Sequence, residues 1–176
     1  DKTPWSKDGR LVLCLRVEST YKDPSPKEKA DIIIIDTLND NKVTKIGETV
    51  SWNVQQGCML QWLNGNGNRI IYNNFINGKY CSVIKEISIE NNNITIIKEK
   101  IIDMPIYSVS HSGKFALTLD FSRLFNLRPG YGYRNLPEKT KDIAVPKTGC
   151  IYKIDLETNE FTEILTYNDL YNFEFR

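Results

Sequence analysis

A short block recurs three times in this chain with its turn chemistry intact, and that repetition limits what the chain can fold into. The block ends Val43-Thr44-Lys45-Ile46, then Ile94-Thr95-Ile96-Ile97, then Phe161-Thr162-Glu163-Ile164. Each copy follows an apolar strand and a polar turn: Ile34-Ile35-Asp36 before Asn39-Asp40-Asn41, Ile87-Ser88-Ile89 before Asn91-Asn92-Asn93, and Ile154-Asp155-Leu156 before Glu157-Thr158-Asn159. Upstream of each lies a second hairpin whose turn carries a glycine and whose next strand opens on a basic residue. These are Gly9-Arg10-Leu11-Val12, Gly67-Asn68-Arg69-Ile70 and Gly113-Lys114-Phe115-Ala116. Two hairpins per unit give four antiparallel strands per unit, and such units arranged around a ring make a β-propeller.

The fold class read from the residues is therefore all-β, in one domain over residues 1–176, with blades at roughly 1–50, 51–103 and 104–170. The turn glycines 9, 67 and 113 are unevenly spaced, and the third unit is lengthened by an insertion at 122–148. Unbroken apolar runs such as Leu11-Val12-Leu13-Cys14-Leu15 and Ile32-Ile33-Ile34-Ile35 suit strands covered on both faces. A helical pattern is confined to part of the insertion and to residues 168–173, while the tail Phe173-Glu174-Phe175-Arg176 alternates like the start of another strand. Three units cannot close a ring that takes four to eight blades. The expectation is an incomplete portion of a six- to eight-bladed propeller, its outer units covered by further blades of the same protein or by self-association.

Composition narrows the partners. A net charge of +1 gives no reason to expect nucleic acid or an anionic membrane, and no run approaches the roughly 18 apolar residues of a membrane-spanning helix. Cys14, Cys58, Cys81 and Cys150 are scattered without a CxxC pair and read as buried thiols, so no metal and no cofactor is expected. The residues indicate no compartment.

In an up-and-down blade the turns between first and second and between third and fourth strands share one end of the strands. Here those turns are short and polar, whereas the long segments 18–30, 47–57 and 122–148 all belong to the opposite end. Loops gathered on a rigid scaffold are where binding usually sits. Two constellations fall there. In Ser51-Trp52-Asn53-Val54-Gln55-Gln56-Gly57, an indole and neutral amides offer the stacking and directional contacts that sugar rings need; Trp52, Asn53, Gln55 and Gln56 are the candidate contacts. In the insertion, Arg123, Arg128 and Arg134 with Tyr131 and Tyr133 form a candidate clamp for a carboxylate, phosphate or sulfate. The one histidine, His111, sits in a polar turn at the other end and reads as a turn residue. No catalytic residue is assigned, because no Ser–His–Asp, HExxH, P-loop or GxGxxG pattern occurs. Among loop-end carboxylates, Asp103 and Asp120 map nearest the centre, where a pair for glycoside hydrolysis would have to lie.

Trp5-Ser6-Lys7-Asp8-Gly9-Arg10-Leu11 and Val109-Ser110-His111-Ser112-Gly113-Lys114 resemble the "SPDG-plus-basic" turn of TolB-like propeller repeats, and Ile154-Asp155-Leu156-Glu157-Thr158-Asn159 resembles their "DLxTG" strand and turn. The resemblance implies blades. It extends to protein-interaction modules, gating domains of peptidases and oligogalacturonate-lyase-like enzymes, whose histidine-rich manganese site this chain does not match with its single histidine. The function expected is a binding module whose loop face takes a polar or acidic carbohydrate-like ligand, in a setting of bacterial polysaccharide metabolism. The rivals are a fragment of a carbohydrate-active lyase or glycosidase and a protein-interaction scaffold.

Overall fold

The computed structural model describes residues 2–63 and 68–174; the expected turn glycine Gly67 and the last two residues of the tail lie outside them. The described chain is mostly β, in three antiparallel sheets of three or four strands. The first sheet holds β1 (Leu11–Arg16), β2 (Ala30–Asp36) and β3 (Lys42–Thr49), with Trp5 bridging to Val12 at its inner edge. The second runs β4 (Gln61–Trp62), β5 (Arg69–Ile76), β6 (Lys79–Glu90) and β7 (Asn93–Ile102). The third comprises β8 (Ser108–Val109), β9 (Phe115–Thr118), β10 (Gly149–Asp155) and β11 (Phe161–Thr166). In each sheet the strands lie side by side in chain order, as consecutive hairpins dictate.

The turns explain the hairpins. Asn77-Gly78 and Asn91-Asn92 both carry positive φ at the two central positions, the backbone a two-residue turn needs to follow the strand twist. In the second sheet, β5 and much of β6 are buried on both faces, while β7 is largely exposed. Ile70, Tyr72, Val83 and Ile87 pack with Leu11, Leu13, Ile32 and Ile34 of the first sheet. Ile71, Ile84 and Ile102 pack with Ala116, Ile154 and Leu156 of the third. This is why β5 opens with an unbroken apolar run rather than an alternating one.

The three sheets share one register. Leu11 pairs with Asp36, Arg69 with Glu86 and Phe115 with Asp155. Each pair is followed by the same backbone bond, from Thr37 to Arg10, Ile87 to Asn68 and Leu156 to Lys114. The counterpart of Arg10 and Lys114 is therefore Asn68, not the basic Arg69 that opens the corresponding strand. Because Ile70 and Ile71 are both apolar, the sequence pattern could not reveal the one-residue slip.

Two helices interrupt the β pattern. The insertion opens with α1 (Phe121–Leu127), capped by the Asp120 carboxylate, which accepts from the N–H groups of Ser122 and Arg123. Up to Glu174 the tail is helical rather than extended: α2 (Tyr167–Glu174) starts where Thr166 and Asp169 cap each other reciprocally. No helix among the described residues is long and apolar enough to cross a membrane.

Candidate functional site

The three long segments do converge, and side chain to backbone bonds bind them together. Asn135 Nδ2 donates to the carbonyls of Pro26 and Val50, at 2.7 and 2.9 Å, so one residue of the insertion holds both other loops. Asn53 Nδ2 donates to Gly132 O at 2.9 Å, and Trp52 Nε1 to Glu28 O at 2.9 Å. Gly132 must be glycine: its φ is +66°, and a Cβ there would stand 2.3 Å from the Phe121 carbonyl.

These contacts divide the candidate residues in two. Trp52, Asn53, Arg123 and Tyr133 are interior, between 1 and 6 % exposed. The Trp52 indole is packed between the first two sheets, and what surface it keeps bounds a narrower apolar cleft beside the main cavity. Tyr133 stacks on Phe121 with ring centroids 4.5 Å apart and takes a hydrogen bond from Asn73. Arg123 is the hub of the insertion. Its guanidinium pairs with Glu138 at 3.0 Å, donates to the carbonyls of Thr140, Ile143 and Ala144, and lies over the Tyr167 ring. Although burial pushes the Glu138 carboxyl up, hydrogen bonding from Thr140 and Arg123 holds it below its usual range. These four position the loops rather than meet solvent.

Gln55, Arg128 and Arg134 are exposed and Gln56 and Tyr131 half-buried. Gln55, Gln56 and Tyr131 line a cavity of about 660 Å³, together with Lys2, Met59 and Tyr107. The cavity lies where the first strands of all three sheets begin. Lys2 precedes the Trp5 bridge, Met59 precedes β4 and Tyr107 precedes β8, while Trp62 Nε1 donating to Pro4 O ties the first two edges together. A more apolar cleft of about 310 Å³, bounded by Leu13, Leu15, Val17 and Trp52, adjoins it and shares Lys2, Gln56 and Leu60.

The chemistry of the cavity is that of a hydrogen-bonding, weakly cationic surface. Gln56 Nε2 bonds Tyr107 Oη at 3.0 Å, and Gln56 Oε1 is buried with no donor among the described residues. Much of Lys2 is exposed, but its ammonium tucks against the Tyr107 carbonyl and ring and Met59 Sδ. Burial pulls that ammonium down to about 8, partly offset by Cys58. Arg128 stacks on Tyr131, 4.1 Å from the ring centroid, at the outer rim. Arg134 has no described hydrogen-bond or ion-pair partner and stays apart from the cavity lining.

Lys2, Met59 and Tyr107 carry no sequence motif. The only signal for them is their shared place just before an inner strand. The two central carboxylates serve other ends: Asp120 caps α1, and Asp103 exchanges hydrogen bonds with Asn159. Among the described residues, no three His, Cys, Asp or Glu side chains gather in a way that could hold a metal ion. His111 is exposed in the turn between β8 and β9. No family model, curated protein or solved structure matches the chain.

Proposed function

We propose that the chain is part of a TolB-like β-propeller of six to eight blades, and that its loop end is a binding module for a polar or acidic carbohydrate-like ligand. The propeller reading draws support from the inner-to-outer strand order of each sheet, the shared register, and the way one face of each sheet packs on the next. The binding reading rests on the cavity of about 660 Å³ at the converging inner edges. The amides of Gln55 and Gln56 suit sugar hydroxyls, and the rings of Tyr107 and Tyr131 supply apolar faces. The aromatic role first given to Trp52 passes to these tyrosines.

Titrating the isotope-labelled chain with neutral and uronic-acid oligosaccharides, followed by NMR, tests this directly. Saturable shifts should centre on Gln55, Gln56 and Tyr131. Gln55→Ala and Tyr131→Ala should each weaken binding about tenfold, the loss of one good polar or stacking contact. The Lys2 charge is full well below pH 8 and disappears above it. Affinity for an acidic oligosaccharide should accordingly fall as pH rises through about 8, while that for a neutral one holds. Absence of saturable binding by either class would end the carbohydrate reading.

A further inference from the structure

A second cavity, of about 380 Å³, opens between the second and third sheets at the opposite end of the strands, where the short turns lie. The shared register gives its meaning. At the same level between the first and second sheets, Leu11 is 2 % exposed, in one buried cluster with Ile87 against which Ile89 and Ile94 also pack. Between the second and third sheets that level belongs to Arg69, paired across β6 and β7 in the row Arg69–Glu86–Lys98, on the same face as Ile71 and Ile84. Where the repeat elsewhere places a buried leucine, this interface places charges and leaves space.

Lys114 reaches the cavity from the neighbouring turn for a related reason. Its counterpart Arg10 is closed by a two-pronged pair with Asp36, at 2.8 and 2.6 Å. The counterpart of Asp36 is Asp155, whose carboxylate instead accepts from the N–H groups of Glu157 and Thr158, leaving Lys114 unclaimed. Lys100 is fixed at the cavity by the carbonyls of Leu156 and Glu157. Arg69, Lys98, Lys100 and Lys114 thus face the space against two carboxylates, Glu86 and Glu157. Among the described residues neither carboxylate forms an ion pair with any of these four cations. The surplus of two positive charges in the lining fits a doubly charged group.

We propose that this cavity binds a tetrahedral dianion, the phosphate monoester group of a small ligand, between Arg69, Lys98 and Lys114. The site is independent of the carbohydrate reading, since it lies at the other end of the sheets.

The test uses the full chain, labelled for NMR and titrated separately with inorganic phosphate and with sulfate, sodium chloride being adjusted to keep ionic strength constant. Saturable shifts at Ser112, Gly113 and Lys98 with inorganic phosphate support the site, sulfate serving as a second dianion of the same shape, and absence of such shifts with both overturns it. The double variant Lys98→Ala/Lys114→Ala should weaken binding about tenfold or more, as removal of two converging charges requires. Both side chains are exposed, so the fold should persist, with circular dichroism as the check. Shifts reproduced by chloride alone, or a double variant that binds as the parent does, would overturn the proposal.

Discussion

Asn73 ties together more of this molecule than any ligand candidate does. It is wholly buried in β5, and its amide uses its full capacity: Nδ2 donates to Ile106 O and Tyr133 Oη, and Oδ1 accepts from Ser82 Oγ and Ile106 N. Its backbone carbonyl takes a further bond from Thr49 Oγ1. One residue therefore links the second sheet to the first, to the connection entering the third, and to the insertion. Asn73→Ala would leave the buried N–H and carbonyl of Ile106 without the partners Asn73 supplies, each at a cost of about 1–3 kcal/mol, while Ser82 Oγ keeps its bond to Met104 O. The expected loss in urea unfolding is about 3 kcal/mol, with an unchanged slope. A loss below about 1 kcal/mol would mean that the network reorganises and that packing alone holds these elements.

At the scale of elements, strands were legible and the insertion was not. The apolar run Ile32–Ile34 is covered on both faces or nearly so, as its unbroken pattern implies, whereas Leu11–Leu15 buries Leu11 and Leu13 and leaves Val12, Cys14 and Leu15 half-buried. The Asn-rich turns declared themselves because few other residues accept positive φ. Arginines and tyrosines in a Pro-Gly loop, by contrast, carry no sign of which way they point. Arg123 and Tyr133 turn inward because Glu138, Tyr167 and Phe121 wait for them, and those partners are set by the fold rather than by local spacing. The cavity has no local signature for a similar reason, since Lys2, Met59 and Tyr107 meet only when three distant strand starts converge. The hub role of Arg123 has a measurable consequence. Arg123→Met removes the groups that hold Glu138, Thr140, Ile143 and Ala144 while keeping the apolar stem. Limited proteolysis within residues 137–147 should then run about tenfold faster, with the β signal in circular dichroism retained, as local opening without global unfolding demands. Cleavage at the parental rate would show that the Asn135 contacts suffice to hold the segment.

The whole molecule is directional, and its two ends are unequal to its middle. Leu11 and Leu13 face the second sheet and are 2 % and 4 % exposed. Their register counterparts in the third sheet, Phe115 and Leu117, face outward, and Leu117 is 41 % exposed. On the first sheet the outward face presents Trp5 and Val43, 48 % and 50 % exposed, in line with Val12 and Ile35. The face that receives a sheet and the face that is received are thus both open, and in the packed interfaces these two kinds of face meet. An apolar pair of this sort should associate head to tail. The 20.3 kDa chain is expected to sediment as a larger species at about 100 µM, and Leu117→Glu or Val43→Glu, each placing a charge in that contact, should return it to 20.3 kDa. A parent chain that stays monomeric would mean that both faces tolerate water. The size of the assembly carries further information. If the turn between successive sheets is that of a six-sheet ring, two copies close it and a discrete dimer results. A turn that does not close would instead give an open series of sizes growing with concentration.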